Sequence, residues 1–442
     1  MRYEIHPWRI LLSLFAAVFV YFLPLGFEGD AHTMLFVMVF VASLWVSEAA
    51  PFHATAVFVA LLLVMLVGLK PEDVFAQYFD PVIMLLLGGF AIAVAMGKYR
   101  LDEYIAYRIL GKVGSKSSMV ILALILTSAF ISMWISNSAT AAIIMPIALV
   151  ILAKNRMKPG SRFGKASVLA VGYGATIGGV GTIIGSTPNI MAAKFLNDAG
   201  VSFGFYEWFY RGFPFMIILM LAGWLALVAI FRPEKNRIVM SKQKEKMSAE
   251  QKKVLAVFVV TVFLWITENI HGIHNSVVAL VPIVLFYFLG LLSIKDFLKI
   301  DWPTLVLIGG GLALGMGIHA TSLDASFASV ISAIATGRDS LALFLLLGLA
   351  GIVMTVVVSN TTAAAVYLPL VVALASLLGT DVTNTVVVAA LAVSLDFMFP
   401  FGTPPTAIAY GTKFVNMKDI AKAGIAISFI GLLLLAFMGL LW

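Results

Sequence analysis

The chain has 442 residues, of which 62% are hydrophobic and 12% are charged, and its mean hydropathy is +1.04. A soluble domain carries roughly 25% charged residues, so this composition excludes a soluble enzyme and a disordered chain. The net charge of +7 does not indicate a nucleic-acid partner, because membrane proteins carry such an excess in their cytoplasmic loops. The absence of cysteine excludes disulfides and Cys-ligated metals, and the six histidines are scattered.

Apolar segments long enough for membrane helices recur along the whole chain. A first helix is predicted within residues 1–30. Further helices are predicted at 31–50, 54–69, 80–97, 166–193, 205–231, 254–271, 275–291, 303–320, 383–412 and 423–441. Two other segments, 118–153 and 339–378, are too long for one helix, and a Ser-Asn cluster interrupts each near its middle. The sequence therefore predicts an all-α membrane protein with eleven transmembrane helices and two re-entrant hairpins.

Basic residues predict the orientation of these helices. If both long segments return to the side from which they enter, nearly all of the 29 basic residues fall on one side; the exceptions are Lys70, Lys194, Arg211 and Arg338. Positive charge concentrates in cytoplasmic loops, so the pattern predicts a cytoplasmic N-terminus and an external C-terminus. The expected location is a prokaryotic inner membrane, with lipid among the partners.

The chain contains an internal repeat on either side of the basic segment 232–253. We predict a first helix at 1–30, repeat 1 at 31–231, a solvated cytoplasmic linker at 232–253, and repeat 2 at 254–442. Because each repeat holds five spans, the second is inverted relative to the first, which is typical of secondary transporters. Four pairs of motifs, each about 220 residues apart, define the repeat: Trp45–Glu48 with Trp265–Glu268, Gly88–Ala91 with Gly310–Ala313, Ser136–Ser138 with Ser359–Thr361, and Ser186–Asn189 with Thr403–Thr406.

Each hairpin has a polar tip, Ser136-Asn137-Ser138 in the first and Ser359-Asn360-Thr361 in the second. Ser and Asn are good N-cap residues, so the second arm of each hairpin is predicted to begin at the tip, within the membrane. The free N–H groups and positive dipole end of such a helix favour an anion, and the amide and hydroxyl side chains add donors. The alternative is a polar pair that holds helices together.

Stretches rich in Gly and Pro interrupt two other apolar segments, at 178–189 and 400–406. They are predicted to unwind the helices and free carbonyl groups for Na⁺, with a simple proline kink as the alternative. Ser132 and Thr355 lie one turn before the tips and suit an oxygen cage for a hard cation, unless they bond back to their own helices. The hairpins and the interrupted segments contain no Lys or Arg, so a divalent anion bound there requires co-bound cations.

Three acids lie near these features. Asp396 is the acid closest to the second unwound stretch, and it is predicted to be a cation ligand, a proton carrier or a structural acid. Glu48 and Glu268 each follow a tryptophan at a predicted helix end, for which a structural role is favoured over transport.

These motifs resemble those of the divalent anion:sodium symporter family over nearly the whole chain. The resemblance implies eleven spans, two hairpins and a homodimer, in which a transport domain moves like an elevator against a scaffold domain. It also implies three groups of site residues. These are Ser132, Ser136, Asn137 and Gly185 at a first sodium site; Thr355, Val358, Asn360 and Gly402 at a second; and Asn137, Ser138, Thr187, Asn360, Thr361 and Pro404 around the substrate carboxylates.

The chain departs from the family pattern at three positions. Ser138 replaces the usual Thr, Thr406 replaces the Asn of the second loop, and Asp396 stands where the family has a small neutral residue. The methyl group lost at Ser138, the amide lost at Thr406 and the carboxylate gained at Asp396 bear on which substrate and which cation the protein binds.

The expected function is the import of C4 dicarboxylates such as succinate, malate or fumarate, coupled to sodium by alternating access. A dicarboxylate exchanger and a sulfate- or phosphate-type oxyanion symporter are the alternatives within the same family. An anion channel that uses the hairpins as a filter is the alternative from another class. A membrane enzyme is disfavoured, because no catalytic constellation is recognisable in any span.

Overall fold

The computed structural model of the chain describes residues 7–24, 27, 29–112, 114–239, 246–335, 339–400 and 402–442, with the backbone alone for residues 330–335. The described residues form helices joined by turns and loops. The predictions for Arg2, Arg338 and the middle of the linker lie outside these residues.

Helices α1 to α11 precede the linker, and the predicted breaks at the first hairpin and the first unwound stretch are among them. A π-helical turn at Leu63–Val67 extends α3, and a 3₁₀ turn at Gln77–Phe79 follows α4. The bounds are Pro7–Tyr21 (α1), Gly29–Val46 (α2), Phe52–Leu62 (α3), Pro71–Ala76 (α4), Pro81–Lys98 (α5), Leu101–Lys112 (α6), Ser117–Ser132 (α7), Asn137–Lys154 (α8), Arg162–Gly179 (α9), Thr187–Asp198 (α10) and Phe205–Phe231 (α11).

Helices α12 to α23 follow the linker. The bounds are Ala249–Ile266 (α12), Glu268–His271 (α13), Asn275–Val278 (α14), Leu280–Phe288 (α15), Ile294–Phe297 (α16), Trp302–Ala320 (α17), Leu323–Ala335 (α18), Ser340–Val357 (α19), Asn360–Leu378 (α20), Val382–Ala392 (α21), Pro404–Gly411 (α22) and Met417–Leu441 (α23).

The all-α membrane class is confirmed. Among the described residues, 8 helical stretches are long and apolar enough to cross a membrane. They include α8, α19 and α20, which are arms of the predicted hairpins, so helix length alone does not separate spanning from re-entrant helices. The count of eleven spans and the re-entrant path of the hairpins stay predictions.

Both long apolar segments are broken at their Ser-Asn tips, as predicted. Ser136 caps α8 by accepting a hydrogen bond from the Ala139 amide at 3.4 Å. Ser359 caps α20 in the same way, through the Thr362 amide at 3.3 Å. The two unwound stretches are also present, between α9 and α10 and between α21 and α22. Each apolar segment therefore contains a helix that begins within it, because a polar cap or a proline starts a new helix there.

The paired glycines of α5 and α17 allow close packing on two sides. A Cβ at Gly88 would lie 2.2 Å from the Ala279 carbonyl oxygen, and one at Gly310 would lie 2.5 Å from the Ala56 Cβ. The next glycine of each pair faces the elements that carry the candidate site. Gly89 of α5 packs on the unwound stretch after α9, and Gly311 of α17 packs on the Met191 methyl group of α10. Both helices thus pack on the other repeat through one glycine and on elements that carry the candidate site through the next.

Part of the linker is packed rather than solvated. The Ser117 amide donates to the Asn236 carbonyl at 3.1 Å, and Ile238 is 1% exposed. The Glu234 carboxylate accepts from the amide of Phe163, at the start of α9. Helix α12 begins at Ala249, inside the predicted linker, because Ser248 and Gln251 form a capping box there.

The two tryptophan motifs have the same structural role in both repeats. The Trp45 indole donates to the Phe52 carbonyl at 3.4 Å, and the Trp265 indole donates to the Asn275 carbonyl at 3.2 Å. Glu268 accepts from the Asn275 amide at 3.3 Å. These bonds hold the connections between α2 and α3 and between α12 and α14, which supports the structural interpretation of Glu268.

Candidate functional site

Four helices begin at one cavity of about 340 Å³. Helices α8 and α20 begin at the hairpin tips, and α10 and α22 begin after the unwound stretches. Each N-terminus carries about half a positive charge, so the cavity combines four such ends. The predicted site residues that line it are Ser136, Asn137, Ser138, Gly185, Thr187, Asn360, Thr361, Gly402 and Pro404.

The cavity gains its positive potential without basic side chains. Among the described residues that line it, Asp301 is the one charged side chain. Asp301 caps α17, accepting from the amide and the hydroxyl of Thr304 at 3.2 and 2.6 Å. The polar groups that remain are amides, hydroxyls and free backbone N–H groups, which suit an anion that is bound and released.

Ser132 and Thr355 lie behind the tips and orient the two asparagines. The Ser132 hydroxyl donates to the Asn137 side-chain oxygen at 2.8 Å. The Thr355 hydroxyl donates to the Asn360 side-chain oxygen at 2.6 Å. Both hydroxyls are fully buried, and their partners line the cavity. The structure therefore brings each predicted hydroxyl to its asparagine and rejects the alternative in which the hydroxyl bonds back to its own helix.

The predicted glycines occupy places that a side chain would fill. A Cβ at Gly179 would lie 2.4 Å from the Asn137 side-chain oxygen, and one at Gly185 would lie 2.5 Å from the Gly179 carbonyl oxygen. Asp396 is completely buried and lies against Gly402, while Val358 continues from α19 in extended conformation. The first tip and the first unwound stretch are consequently in direct contact.

The two repeats meet at the cavity through a hydrogen bond between the hydroxyls of Thr187 and Thr361. Thr187 is the first residue of α10 in repeat 1, directly after the unwound stretch, and Thr361 is the second residue of α20, at the tip of repeat 2. The candidate site is thus shared by both repeats, as the inverted-repeat pattern predicts.

Two residues that hold the first unwound stretch were not predicted. The Asn189 amide donates to the Gly179 and Thr182 carbonyls at 2.9 and 2.7 Å, and the Thr182 hydroxyl donates to the Met133 carbonyl at 2.5 Å. Asn189 stood in a recognised motif, but its partners are carbonyl groups, which the sequence does not specify. These bonds replace the helical pairing that the glycines disrupt.

We expect Thr182→Val to weaken the site. Valine keeps the shape of the side chain and removes its hydrogen bond to the Met133 carbonyl. The loss of a partner by a buried polar group costs about 1–3 kcal/mol of folding stability. The expected result is a lower melting temperature and weaker substrate binding. Thr176→Val is the matched control, because Thr176 bonds back to Gly172 of its own helix. Equal effects of both variants would contradict the tethering role.

The wall opposite the tips comes from residues that sequence reasoning missed. They lie on α3, α5 and α17, and they are Phe52, Leu86, Phe90, Asp301, Thr304 and Leu307. The aspartate before Trp302-Pro303 carried a helix-start signal, whereas the apolar members look like any other membrane helix residue.

A second cavity of about 280 Å³ adjoins the first and shares Phe90, Ser136 and Asp301 with it. Lys299 and Asp102 also line it, and Lys299 is on the predicted cytoplasmic side. The second cavity thus connects the surroundings of the candidate site with Lys299 and Asp102.

Asp102 makes the stability of the protein depend on pH. Burial raises the pKa of Asp102 from 3.8 to about 6, so the ionised form destabilises the folded protein. Between about pH 4 and pH 6 the folded chain holds the Asp102 proton more strongly than the unfolded chain does. The free energy of unfolding therefore falls as pH rises through this range, by up to about 3 kcal/mol. In Asp102→Asn we expect melting curves to lose this decline. An unchanged pH profile would contradict the assignment.

Comparison with known proteins confirms the expected family. The family described as "Sodium:sulfate symporter transmembrane region" matches residues 4–442. The chain belongs to this family. It is therefore a membrane transporter and not an enzyme, which agrees with the resemblance to divalent anion:sodium symporters.

Two curated relatives are similar over most of their length. The sodium-dependent dicarboxylate transporter SdcS of Staphylococcus saprophyticus is 32% identical, over 96% of this chain and 88% of its own. SdcS of Staphylococcus aureus strain USA300 is 28% identical with the same coverage.

Solved structures support the fold class at low identity. The YdaH transporter of Alcanivorax borkumensis has a TM-score of 0.59 at 12% identity, over 88% of this chain and 98% of its own. MtrF of Neisseria gonorrhoeae has a TM-score of 0.58 at 12% identity, over 99% of this chain and 94% of its own. These likenesses concern the fold alone.

Proposed function

We propose that the protein imports C4 dicarboxylates such as succinate, malate or fumarate together with sodium ions. The observation that carries the proposal is the meeting of four helix N-termini at one cavity whose described lining contains no Lys or Arg. Such a cavity attracts an anion, but the Asp301 carboxylate in the lining offsets part of the partial charges of the helix ends, so bound cations supply the remainder for a doubly charged substrate. The family description and the names of the SdcS relatives support sodium coupling.

The substrate carboxylates are proposed to bind at the two tips. Because each tip presents an asparagine and a hydroxyl, a dicarboxylate can use one tip for each end, whereas a single tetrahedral oxyanion has one charged centre. The proposed binding residues are Asn137, Ser138, Thr187, Asn360, Thr361 and Pro404.

Two sodium sites are proposed beside the tips. The first is formed by Ser132, Ser136, Asn137 and Gly185, and the second by Thr355, Val358, Asn360 and Gly402. Two features support them: the buried hydroxyl next to each asparagine, and the glycines that admit the backbone. Asp396 is the proposed coupling residue.

Transport is proposed to follow an elevator mechanism in a homodimer with a cytoplasmic N-terminus and an external C-terminus, in a prokaryotic inner membrane. Two observations support the movement. The glycine pairs of α5 and α17 let both helices pack closely on the other repeat and on the site-bearing elements, and a second cavity extends from the site to Lys299.

Uptake by proteoliposomes tests the function. We expect labelled succinate to accumulate under an inward sodium gradient, and not under an equal potassium gradient. Uptake that is indifferent to sodium would overturn the coupling. Competition by excess sulfate or phosphate, with none by malate, would instead favour an oxyanion symporter, which the family description makes the second candidate. Single-channel conductance would favour a channel, and uptake that requires an internal dicarboxylate would favour an exchanger.

A further inference from the structure

Asp396 is a buried acid whose charge nothing in the described part of the chain balances. Its side chain is 0% exposed, and neither carboxylate oxygen has a hydrogen-bond partner among the described residues. The buried hydroxyl of Ser394, two residues earlier, also lacks a partner there. The hydroxyls of Tyr173 and Ser428, on helices packed nearby, already donate to the carbonyls of Ile420 and Leu395. A buried unpaired carboxylate is among the most costly groups in a protein, and a cation beside it removes that cost.

The carboxylate lies against the backbone of the second unwound stretch. A Cβ at Gly402 would fall 1.9 Å from one Asp396 oxygen and 2.5 Å from the other, so both oxygens face the Gly402 Cα. Gly402 itself lines the substrate cavity. Asp396 therefore stands directly behind the cavity wall, at the residue proposed to offer a carbonyl group to the second cation.

The neighbouring helices bring the second hairpin to the same level. Helix α19 runs toward the tip alongside α21, where Gly351 packs on Ala392 and Val393. Thr355 follows Gly351 by one turn of α19, and Asp396 follows the end of α21 at Ala392, in the non-helical stretch that leads to Gly402. Thr355 is the buried hydroxyl that bonds to Asn360. The Asp396 carboxylate, the Thr355 hydroxyl and the Asn360 side chain therefore lie on elements that pack against one another, and Asn360 and Gly402 line the same cavity.

Repeat 1 has no acid at the corresponding place. The spacing that pairs Gly185 with Gly402 also pairs Gly179 with Asp396, and Asn189 with Thr406. In repeat 1, the Asn189 side-chain amide donates to the Gly179 carbonyl, so the groups at the place that corresponds to Asp396 are neutral. In repeat 2, Thr406 is paired with the Thr403 hydroxyl at 3.0 Å. The exchange of a Gly–Asn pair for an Asp–Thr pair gives the second position a negative charge.

We propose that the Asp396 carboxylate is a direct ligand of the second cation, together with Thr355, Asn360 and the Gly402 carbonyl. This inference rests on the proposed sodium-coupled function. The second site then holds Na⁺ before any anion arrives, because the carboxylate balances the charge of the cation. The first site has only neutral oxygens. The two cation sites are therefore unequal, and the second fills independently of substrate.

Sodium-dependent melting of the purified full-length protein tests the proposal without transport. Melting temperatures are measured in detergent with increasing NaCl, with choline chloride keeping the ionic strength constant and with no dicarboxylate present. We expect a saturable rise for the native chain and a sodium midpoint shifted about tenfold or more upward in Asp396→Asn, which keeps the shape but removes the charge. Asp198→Asn, which removes the acid of a surface ion pair with Lys194, is the matched control and should leave the midpoint unchanged.

A second variant covers the case in which Asp396→Asn does not fold. Asp396→Gly combined with Thr406→Asn installs the residue pair of repeat 1, and it should fold and show the same weakened sodium response. A native midpoint retained in either folded variant would overturn the proposal. A melting temperature that responds to pH and not to Na⁺ in the native chain, and loses that response in Asp396→Asn, would also overturn it by assigning the carboxylate to a proton.

Failure of this inference is separable from failure of the proposed function. Succinate uptake that depends on sodium in the native chain, combined with an unchanged sodium midpoint in Asp396→Asn, removes only the role of Asp396. Uptake that ignores sodium removes the function, and the inference falls with it.

Discussion

Replacement of Asn360 by alanine is expected to reduce sodium-driven succinate uptake about 100-fold or more. Asn360 lines the cavity, and its side-chain oxygen accepts the Thr355 hydroxyl at 2.6 Å. The variant loses a donor to the substrate and an oxygen for the cation, and each hydrogen bond to a charged group contributes about 1.5–3 kcal/mol. A combined loss of about 3 kcal/mol corresponds to a 100-fold change.

The matched control is Asn236→Ala, since Asn236 is exposed in the linker and contacts Ser117 through its backbone carbonyl. Initial uptake rates in proteoliposomes, normalised to the amount of reconstituted protein, measure both variants. A loss in Asn360→Ala of less than about threefold would mean that the second tip does not hold the substrate and the cation together. Reduced protein yield in that variant alone would instead indicate a structural role for the residue.

The second large effect is expected from Gly178→Ala. A Cβ there would lie 2.2 Å from the Ala129 carbonyl oxygen and 2.5 Å from the Ala129 Cα. Since these are backbone atoms, no side-chain rotation relieves the clash, and α7 and α9 must move apart. Such overpacking costs about 3 kcal/mol or more, and most of the folded protein should be lost.

Two further alanine variants are expected to have smaller effects on folding than Gly178→Ala. Gly174→Ala meets the Ile125 carbonyl oxygen at 2.7 Å and should have an intermediate effect. Gly111 has nothing within 4 Å, and alanine there should be neutral or raise helix stability by up to about 1 kcal/mol. Size-exclusion yield and melting temperature check the order. If Gly178→Ala behaves like Gly111→Ala, the close approach of α7 and α9 is not needed for folding.

Local chemistry explains which parts of the fold were predictable. The tips at Ser136 and Ser359 were predicted correctly because Ser and Asn are strong N-cap residues, which start a new helix within an apolar run. The breaks before Thr187 and Pro404 followed from Gly and Pro, which disrupt helical hydrogen bonding locally. The linker was less predictable, because the packing of Ile238 depends on the position of the first hairpin.

The same distinction holds for the candidate site. The sequence singled out Asn137 and Asn360 with their hydroxyl neighbours Ser132 and Thr355, because each pair lies about one turn apart on one hairpin. It did not reveal the tethers from Thr182 and Asn189, whose partners are backbone carbonyls. Nor did it indicate the wall formed by Phe52 and the other side chains of α3, α5 and α17, since an apolar residue in a membrane helix has no distinguishing mark.

The sequence by itself determined that this is an all-α membrane transporter with two related halves, because hydrophobic length, charge placement and repeated motifs are properties of a linear chain. Only the tertiary structure decided that four helix N-termini share one cavity and that Asp396 is buried against Gly402. Those facts depend on contacts between residues far apart in sequence, such as Thr187 with Thr361. The positive potential of the site arises from helix ends, and their convergence exists only in three dimensions.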